Sequence, residues 1–426
     1  MDFENAAADL TEMALDGAAY LRTNLPIVDF TKPFQGVLEI YGKKKVLTID
    51  LSTPNELATI SYLLTTILDD RVLIIGWNIK ELITYLKFNL TNKATINFTA
   101  KVIDLRLIEV FSGQNLSAPE SLAQAVKRMG AVYTAKNKII ANKIHTPLSM
   151  TVIPSMEMSG ILDTELRKRV YPYYEIEKQV NGRLQSSKAF PLAIFSHGLT
   201  PSDKEKLKLR SEEEVFIYFD FKSMEVAVLQ YLSQDQTLAK MLVGDCYKNI
   251  WTALFNSNCE TPEQRKLIKE CFLPIVFGLG ITGIMEKTGC SQEAATALTK
   301  GLRSRFKKAF EYVDNYQEGH LVEDHFGRKR YFDDPKSYLI RNFVIQAPAA
   351  IICMEKLIDL YQVVGDKLLL SIHDGYVIRC NPKFDKPLIV QCKKVLESPS
   401  QLAPELKLSV DCGIGIRLNK MKPLKI

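Results

Sequence analysis

Apolar positions along the chain change period several times, and each change predicts an element. Val46–Leu51 (VLTIDL) reads as a buried strand, Glu56–Leu68 as a helix and Val72–Trp77 (VLIIGW) as another strand, with a helical pattern from Ile79 onward. This is an α/β opening, and a short segment beginning near Pro147 ends it. From Val215 the stretch VFIYFDF predicts a strand that runs into a helix over Ser223–Ser233. Between Ser257 and Asp324 the period is helical with no convincing strand, and from Lys367 short strands return as LLLSI, YVIR and LKLSV. Strands, helices and strands again predict one sheet interrupted by a helical subdomain. There is no internal repeat and no low-complexity tract.

Composition narrows the class. A chain of 426 residues predicts two or three domains, each large enough for a hydrophobic core. With 46% hydrophobic and 24% charged residues, 18 Pro and 21 Gly, disorder and fibre are excluded. The longest nearly apolar stretch, Pro274–Met285, falls short of the roughly 20 residues of a membrane-crossing helix. The acidic start MDFENAAADLTEMALDGAAY lacks the basic flank of a secretion signal, so a cytoplasmic protein with no membrane partner is expected. Eight cysteines lie between Cys246 and Cys412 without a C-x-x-C pair, which argues against a zinc cluster or a disulfide framework and predicts buried thiols. The net charge of +6 is clumped at Lys43–Lys45, Lys136–Lys143, Arg303–Lys308, Arg328–Arg330 and Lys420–Lys425. Such clumps permit nucleic-acid binding, and solvated faces explain any one of them equally well.

Three constellations carry chemistry. Asp220 ends the strand VFIYF, and Glu225 follows five residues later as the chain turns helical. Many α/β proteins place an Asp at a strand end, so this site alone decides nothing. The second is LLLSIHDGYVIR, two strand-like runs joined by His373-Asp374-Gly375, where Asp374 read alone is a hairpin turn residue. Two strand-end carboxylates on one sheet are, however, what a two-metal phosphoryl-transfer site requires. The third is Arg265, Lys269, Leu273 and Phe277, spaced by four on one helix face and followed by Gly278, Gly280 and Gly283. A guanidinium and an ammonium projecting together suit a nucleoside triphosphate, and a basic amphipathic surface helix fits the same spacing.

Order and spacing together resemble family A DNA polymerases over most of the chain. DFKSMEVAVLQYLSQD (Asp220–Asp235) is similar to the family's motif A, RKLIKECFLPIVFG (Arg265–Gly278) to its fingers helix, and GRKRYF (Gly327–Phe332) to the segment after the fingers. Asn342 and Gln346 in RNFVIQAPAA match an Asn and Gln four apart, and His373-Asp374-Gly375 matches motif C, usually His-Asp-Glu. Upstream, NGRLQSS (Asn181–Ser187) resembles TGRLSS, and MEMSGILD (Met156–Asp163) resembles the segment that leads into the thumb.

The resemblance implies α/β and α+β domains: an RNase H-like exonuclease-type domain, then a right-hand palm with helical fingers and a reduced thumb. It divides the chain into an exonuclease-like domain (1–145), a vestigial thumb (146–182), palm (183–240), fingers (241–335) and second palm part (336–426). Asp220 and Asp374 would bind two Mg²⁺ ions and carry catalysis. Glu225 would be the gate against a ribose 2′-hydroxyl, Arg265 and Lys269 would hold the incoming dNTP with Leu273, Phe277, Tyr247 and Lys248 beside it, and Arg183, Asn342, Gln346 and His373 would meet primer–template DNA.

Departures from the pattern qualify these roles. Leu273 replaces an aromatic residue, Phe277 replaces a Tyr whose hydroxyl can bond the gate, and looser sugar selection follows. Gly375 replaces the last carboxylate of motif C, Tyr247-Lys248 replaces a triphosphate-contacting His, and Pro274 should kink the fingers helix. In the exonuclease-like part only Asp50 survives of four carboxylates: Ser52, Leu82 and Asn137 stand for the others. Glu81 beside Leu82 could in principle compensate, but one residue along a helix turns a side chain by about 100°, which argues against it. A relic without nuclease activity is expected. The thumb keeps only Thr164–Val180 where the family has a long helical hairpin, which implies low processivity unless a replisome partner helps. A pared-down chain of this kind suits a phage or mobile element. Two other readings stay open: a non-catalytic DNA-binding or replication-assembly protein with this fold, and a primase or RNA polymerase of the single-subunit type. Joint retention of Asp220, Glu225, Arg265, Lys269 and Asp374 argues against the first, and Glu225 against the second.

Overall fold

A computed structural model describes residues 3–24, 36–52, 71–89, 101–186, 193–209, 211–316, 320–333, 337–383 and 385–426. The helix predicted at Glu56–Leu68 and Ser187 of NGRLQSS lie outside these residues. The chain forms two compact units: residues 1–220, 353–396 and 410–426, and residues 221–352 and 397–409. The described helices include none long and apolar enough to cross a membrane, and all eight cysteines are free thiols, five of them buried.

The first unit opens with a five-stranded mixed sheet of β1 (Ala18–Thr23), β2 (Val37–Tyr41), β3 (Val46–Asp50), β4 (Leu73–Trp77) and β5 (Lys101–Asp104), in the order β3-β2-β1-β4-β5. Because side chains alternate along a strand, Ala19 and Leu21 face one apolar cluster with Leu10, Leu38 and Leu82, while Tyr20 faces another with Trp77, Ile108 and Leu122. Helices therefore cover both faces. β3 is not the buried strand that its apolar letters predict: it is an edge strand with Val46 54% exposed, and only Ile49 is buried within it. Nor does the chain break at Pro147. A helical path runs through residues 135–159, with π segments at Ala141–His145 and Leu148–Val152, and Pro147 sits between the two. The boundary placed at residue 145 falls inside this path. A π segment alters the backbone pairing locally, which is where a missing donor is absorbed.

After it, Ile161–Asp163 and Lys168–Pro172 pair as a hairpin within a four-stranded sheet with Ala193–Ile194 and Leu207–Lys208. The next sheet carries the strand-end aspartates. Its order is Leu368–Ile372, Gly375–Cys380, Val215–Phe221, Val410–Gly415, Lys422–Pro423. The last strand predicted at LKLSV begins only at Val410: Leu406 and Leu408 are buried but lie outside it, and the Ser409 carbonyl accepts from the Lys222 amide at 2.8 Å. Alternating burial is shared by paired and unpaired extended chain, and only a ladder separates them.

The second unit is helical, built on Met224–Ser233, Cys246–Phe255, Pro262–Val276 and Gln292–Arg305 around a core of Ile268, Phe272, Ile275, Phe306 and Val344. A short hairpin pairs Leu321–Glu323, at the end of the stretch read as helical without a strand, with Lys329–Tyr331; Gly327 in its turn has φ 94°. The 28-residue helix Ser337–Val364 contributes to both units.

Candidate active site

In the first unit the site grows from one strand. Along Val215–Phe221, Ile217 and Phe219 are buried on one face, while the other opens from buried Phe216 through Tyr218 to exposed Asp220. The antiparallel neighbour Gly375–Cys380 pairs Asp220 with Gly375 and Tyr218 with Val377. Asp374 directly precedes Gly375 in a two-residue turn closed by the pair Ile372 and Gly375, with His373 at φ 52°. Two carboxylates remote in sequence thus stand at one end of the central strand pair. Asp220 lies directly opposite the residue that follows Asp374, at the roughly 5 Å separation of paired antiparallel positions.

The turn is anchored from below. Tyr174 Oη and Ser196 Oγ each donate to the Ser371 carbonyl at 3.0 Å, and Ser371 N donates back to Tyr174 Oη at 2.9 Å. Arg183 Nη2 lies 3.6 Å from Asp374 Oδ1, an ion pair between NGRLQSS and the turn. Tyr218 Oη donates to Asp220 Oδ1 at 3.1 Å. Burial, together with the Asp220 and Asp374 carboxylates, pushes the Tyr218 phenol up, so it stays protonated and donates. The His373 ring sits edge-on to His197, centroids 5.2 Å apart. Burial, with His373 and Arg183 nearby, lowers the His197 imidazole to about 4.

The oxygen-only donor pair fits a hard divalent cation. Among the described residues no group of three or more His, Cys, Asp or Glu side chains could hold a metal. Mg²⁺ is commonly bound by one or two carboxylates, with waters and substrate phosphates completing its shell, so Asp220 and Asp374 suffice in kind.

In the second unit, Glu225 stands in the first turn of Met224–Ser233, where the helix dipole favours a carboxylate. Gln346 Nε2 donates to its Oε1 at 2.9 Å, so the residue expected at primer–template DNA also holds the predicted gate. Asn342 lies one turn earlier on the same helix, half-buried. Pro262–Val276 begins with a capping box, Thr261 with Gln264, and buries Ile268, Cys271, Phe272 and Ile275. Its other face leaves Lys269 exposed, with Arg265, Leu273 and Phe277 half-buried, which is the grouping that the spacing by four predicts. Pro274 falls in the last turn, and the helix continues to Val276, so no mid-helix break results. Arg265 Nε bonds Asp245 Oδ2 at 2.7 Å, and its guanidinium lies 5.6 Å from the buried Tyr247 ring. Burial pushes Asp245 up, but its bonds to Arg265 and the Lys248 amide outweigh this and hold it below the usual carboxylate range. Lys248 is exposed.

Of the four positions that match the family's exonuclease site, Asp50 ends the edge strand β3 and accepts from the Ser52 amide and hydroxyl. Leu82 is buried in the apolar core, and Asn137 donates to Ser112 Oγ and the Val132 carbonyl. Glu81 is engaged by Lys80 and Tyr173.

Sequence reasoning passes over Tyr218, His197 and Asp245. Tyr218 is within its reach, because period two puts it on the face of Asp220. Nothing local marks His197, and Asp245 shows only as an N-cap before Cys246–Phe255.

Residues 117–420 match the family described as DNA polymerase family A. The chain belongs to that family. It is 22% identical over 368 residues to DNA polymerase theta of Drosophila melanogaster, covering 74% of this chain and 18% of that protein. It is 24% identical over 228 residues to the thermostable DNA polymerase I of Thermus aquaticus, covering 49% of this chain and 27% of that one. The chain therefore spans less than a third of either relative's length. Its fold is shared with the POL domain of Pol1 from M. smegmatis, solved in complex with DNA primer-template and dNTP, at TM-score 0.78 and 14% identity over 98% of this chain and 99% of that one.

Proposed function

We propose that this protein is a template-directed DNA polymerase that adds deoxynucleotides to a primer 3′ end. The observation that carries this reading is the register of Asp220 against Gly375, which sets Asp220 and Asp374 at one end of two paired strands. These two would hold two Mg²⁺ ions, which when bound supply activation of the primer hydroxyl and neutralisation of the leaving pyrophosphate. Arg183 restrains Asp374. Arg265 and Lys269 attract the triphosphate, with Tyr247, Lys248, Leu273 and Phe277 beside it, and Asp245 fixes the guanidinium beforehand. Glu225, held by Gln346, excludes a 2′-hydroxyl by its bulk. Asn342, His373 and Arg183 meet the primer–template.

The first sheet, with helices on both faces, supports an RNase H-like exonuclease domain in ancestry. It lacks proofreading, because Ser52, Leu82 and Asn137 carry no negative charge for a cation. The hairpin Ile161–Pro172 supports a thumb without a gripping helix pair, hence short synthesis runs unless a partner subunit compensates. The proposed partition follows the family: exonuclease-like part, short thumb, palm in two parts, and fingers.

Primer extension with Mg²⁺, dNTPs or rNTPs tests the whole reading. Extension with dNTPs that Asp220→Asn and Asp374→Asn each reduce by at least about a thousand-fold is expected. No extension on any primer–template would favour a DNA-binding scaffold, and preference for rNTPs a primase or RNA polymerase.

A further inference from the structure

Gly375 stands where the family usually has a carboxylate, and the space around it explains more than a loss. A Cβ at this position would lie 2.5 Å from Tyr218 Oη, 2.7 Å from Tyr218 Cε2 and 2.6 Å from the Phe219 carbonyl oxygen. Real Cβ atoms do not approach so closely, so no side chain fits here while Tyr218 keeps its place. Gly375 has no positive φ. Its value is therefore the room that it leaves, not conformational freedom.

Tyr218 uses that room. It lies on the same strand face as Asp220, packs at the margin of the apolar cluster that includes Ile161, Phe216, Leu370 and Val377, and crosses Gly375 to bond Asp220 Oδ1. We infer that Tyr218 is a positioning residue of the cation site, its hydroxyl fixing the Asp220 carboxylate and its ring occupying the place from which motif C has lost a side chain. The substitutions form one device: a tyrosine two residues before the first aspartate and a glycine directly after the second. A hydrogen bond to an oxygen ligand narrows its rotamers before the cation arrives, which raises affinity by lowering the ordering cost. Each aspartate then has its own restraint, a hydrogen bond from Tyr218 on Asp220 and a 3.6 Å ion pair with Arg183 on Asp374.

The inference rests on the polymerase reading for its consequence in activity, so two measurements are taken on the full chain. The first is Mn²⁺ binding without DNA or nucleotide, followed by electron paramagnetic resonance at a temperature well below the unfolding midpoint. The second is the Mg²⁺ concentration for half-maximal primer extension. Tyr218→Phe keeps the ring and removes the hydroxyl. It is expected to weaken Mn²⁺ binding and raise the Mg²⁺ midpoint, each about ten-fold, with KM for dNTP unmoved within about two-fold. A role in packing alone would leave both cation readouts at wild-type values, and that result overturns the inference. Should wild-type protein extend no primer while Tyr218→Phe still weakens Mn²⁺ binding, the inference stands and the polymerase reading falls. Normal extension with unmoved cation affinity has the opposite consequence: the polymerase reading stands and Tyr218 only packs.

Discussion

Glu225 draws its interest from what touches it. The hydroxyl that the family supplies from the fingers is missing at Phe277, and the Gln346 amide bonds the carboxylate instead. If Glu225 is the proposed gate, this amide bond helps fix it. Glu225→Ala should then raise the kcat/KM ratio of rNTP over dNTP by about ten-fold or more; an unchanged ratio would remove Glu225 from sugar selection. His197 gives a prediction about stability. Its imidazole is lowered to about 4 in the folded chain by burial, His373 and Arg183, against an ordinary 6.5. Between those values the unfolded chain binds more protons, so this contribution is complete above about pH 6.5 and is lost as pH falls toward 4, at most about 3 kcal/mol. Urea midpoints of wild type and His197→Gln at pH 5 and pH 7.5 would read it. Equal pH dependence in the two proteins would show that His197 titrates normally.

Elements are legible where local pattern and tertiary position agree. Val215–Phe221 and Met224–Ser233 lie close to the predicted bounds because the shift from strand to helical period is abrupt there. The helix Pro262–Val276 is announced by its own start signal, Thr261-Pro262 with Gln264 three residues after the cap. Thr261→Ala should cost about 1 kcal/mol in urea unfolding, with dNTP affinity changed little if the helix merely frays at its first turn. No measurable loss would mean that core packing alone sets the helix start. Val46–Asp50 and the stretch before Val410 depart from expectation for one reason: burial pattern alone does not say whether a strand has neighbours on two sides, one or none. The segment near Pro147, expected to end the first unit, instead lies in a helical path that passes the proline between two π segments.

At the scale of the molecule, the proposed loss of proofreading and the short hairpin at Ile161–Pro172 bear on the same behaviour, synthesis that is neither edited nor long. Single-stranded DNA with a labelled 5′ end should stay intact with Mg²⁺, and 3′–5′ shortening abolished by Asp50→Ala would refute the relic reading. On a long primed template, product length per binding event should be short and should fall steeply between about 50 and 200 mM salt, as binding carried by clumps of lysine and arginine requires. A trap assay with excess unlabelled duplex measures this.

Single-sequence reading reached the strand that ends at Asp220, the turn at Asp374, the order of helical and extended segments and the helix face shared by exposed Lys269 and half-buried Arg265, because those depend on side-chain identity and on periods of two to four residues. Tertiary structure alone decided that Asp220 faces Gly375, that Gln346 bonds Glu225, that β3 is an edge, and that Tyr218 fills the gap beside motif C. Strand register and close packing join residues far apart in the chain, and local periodicity holds no record of which distant partner a residue meets.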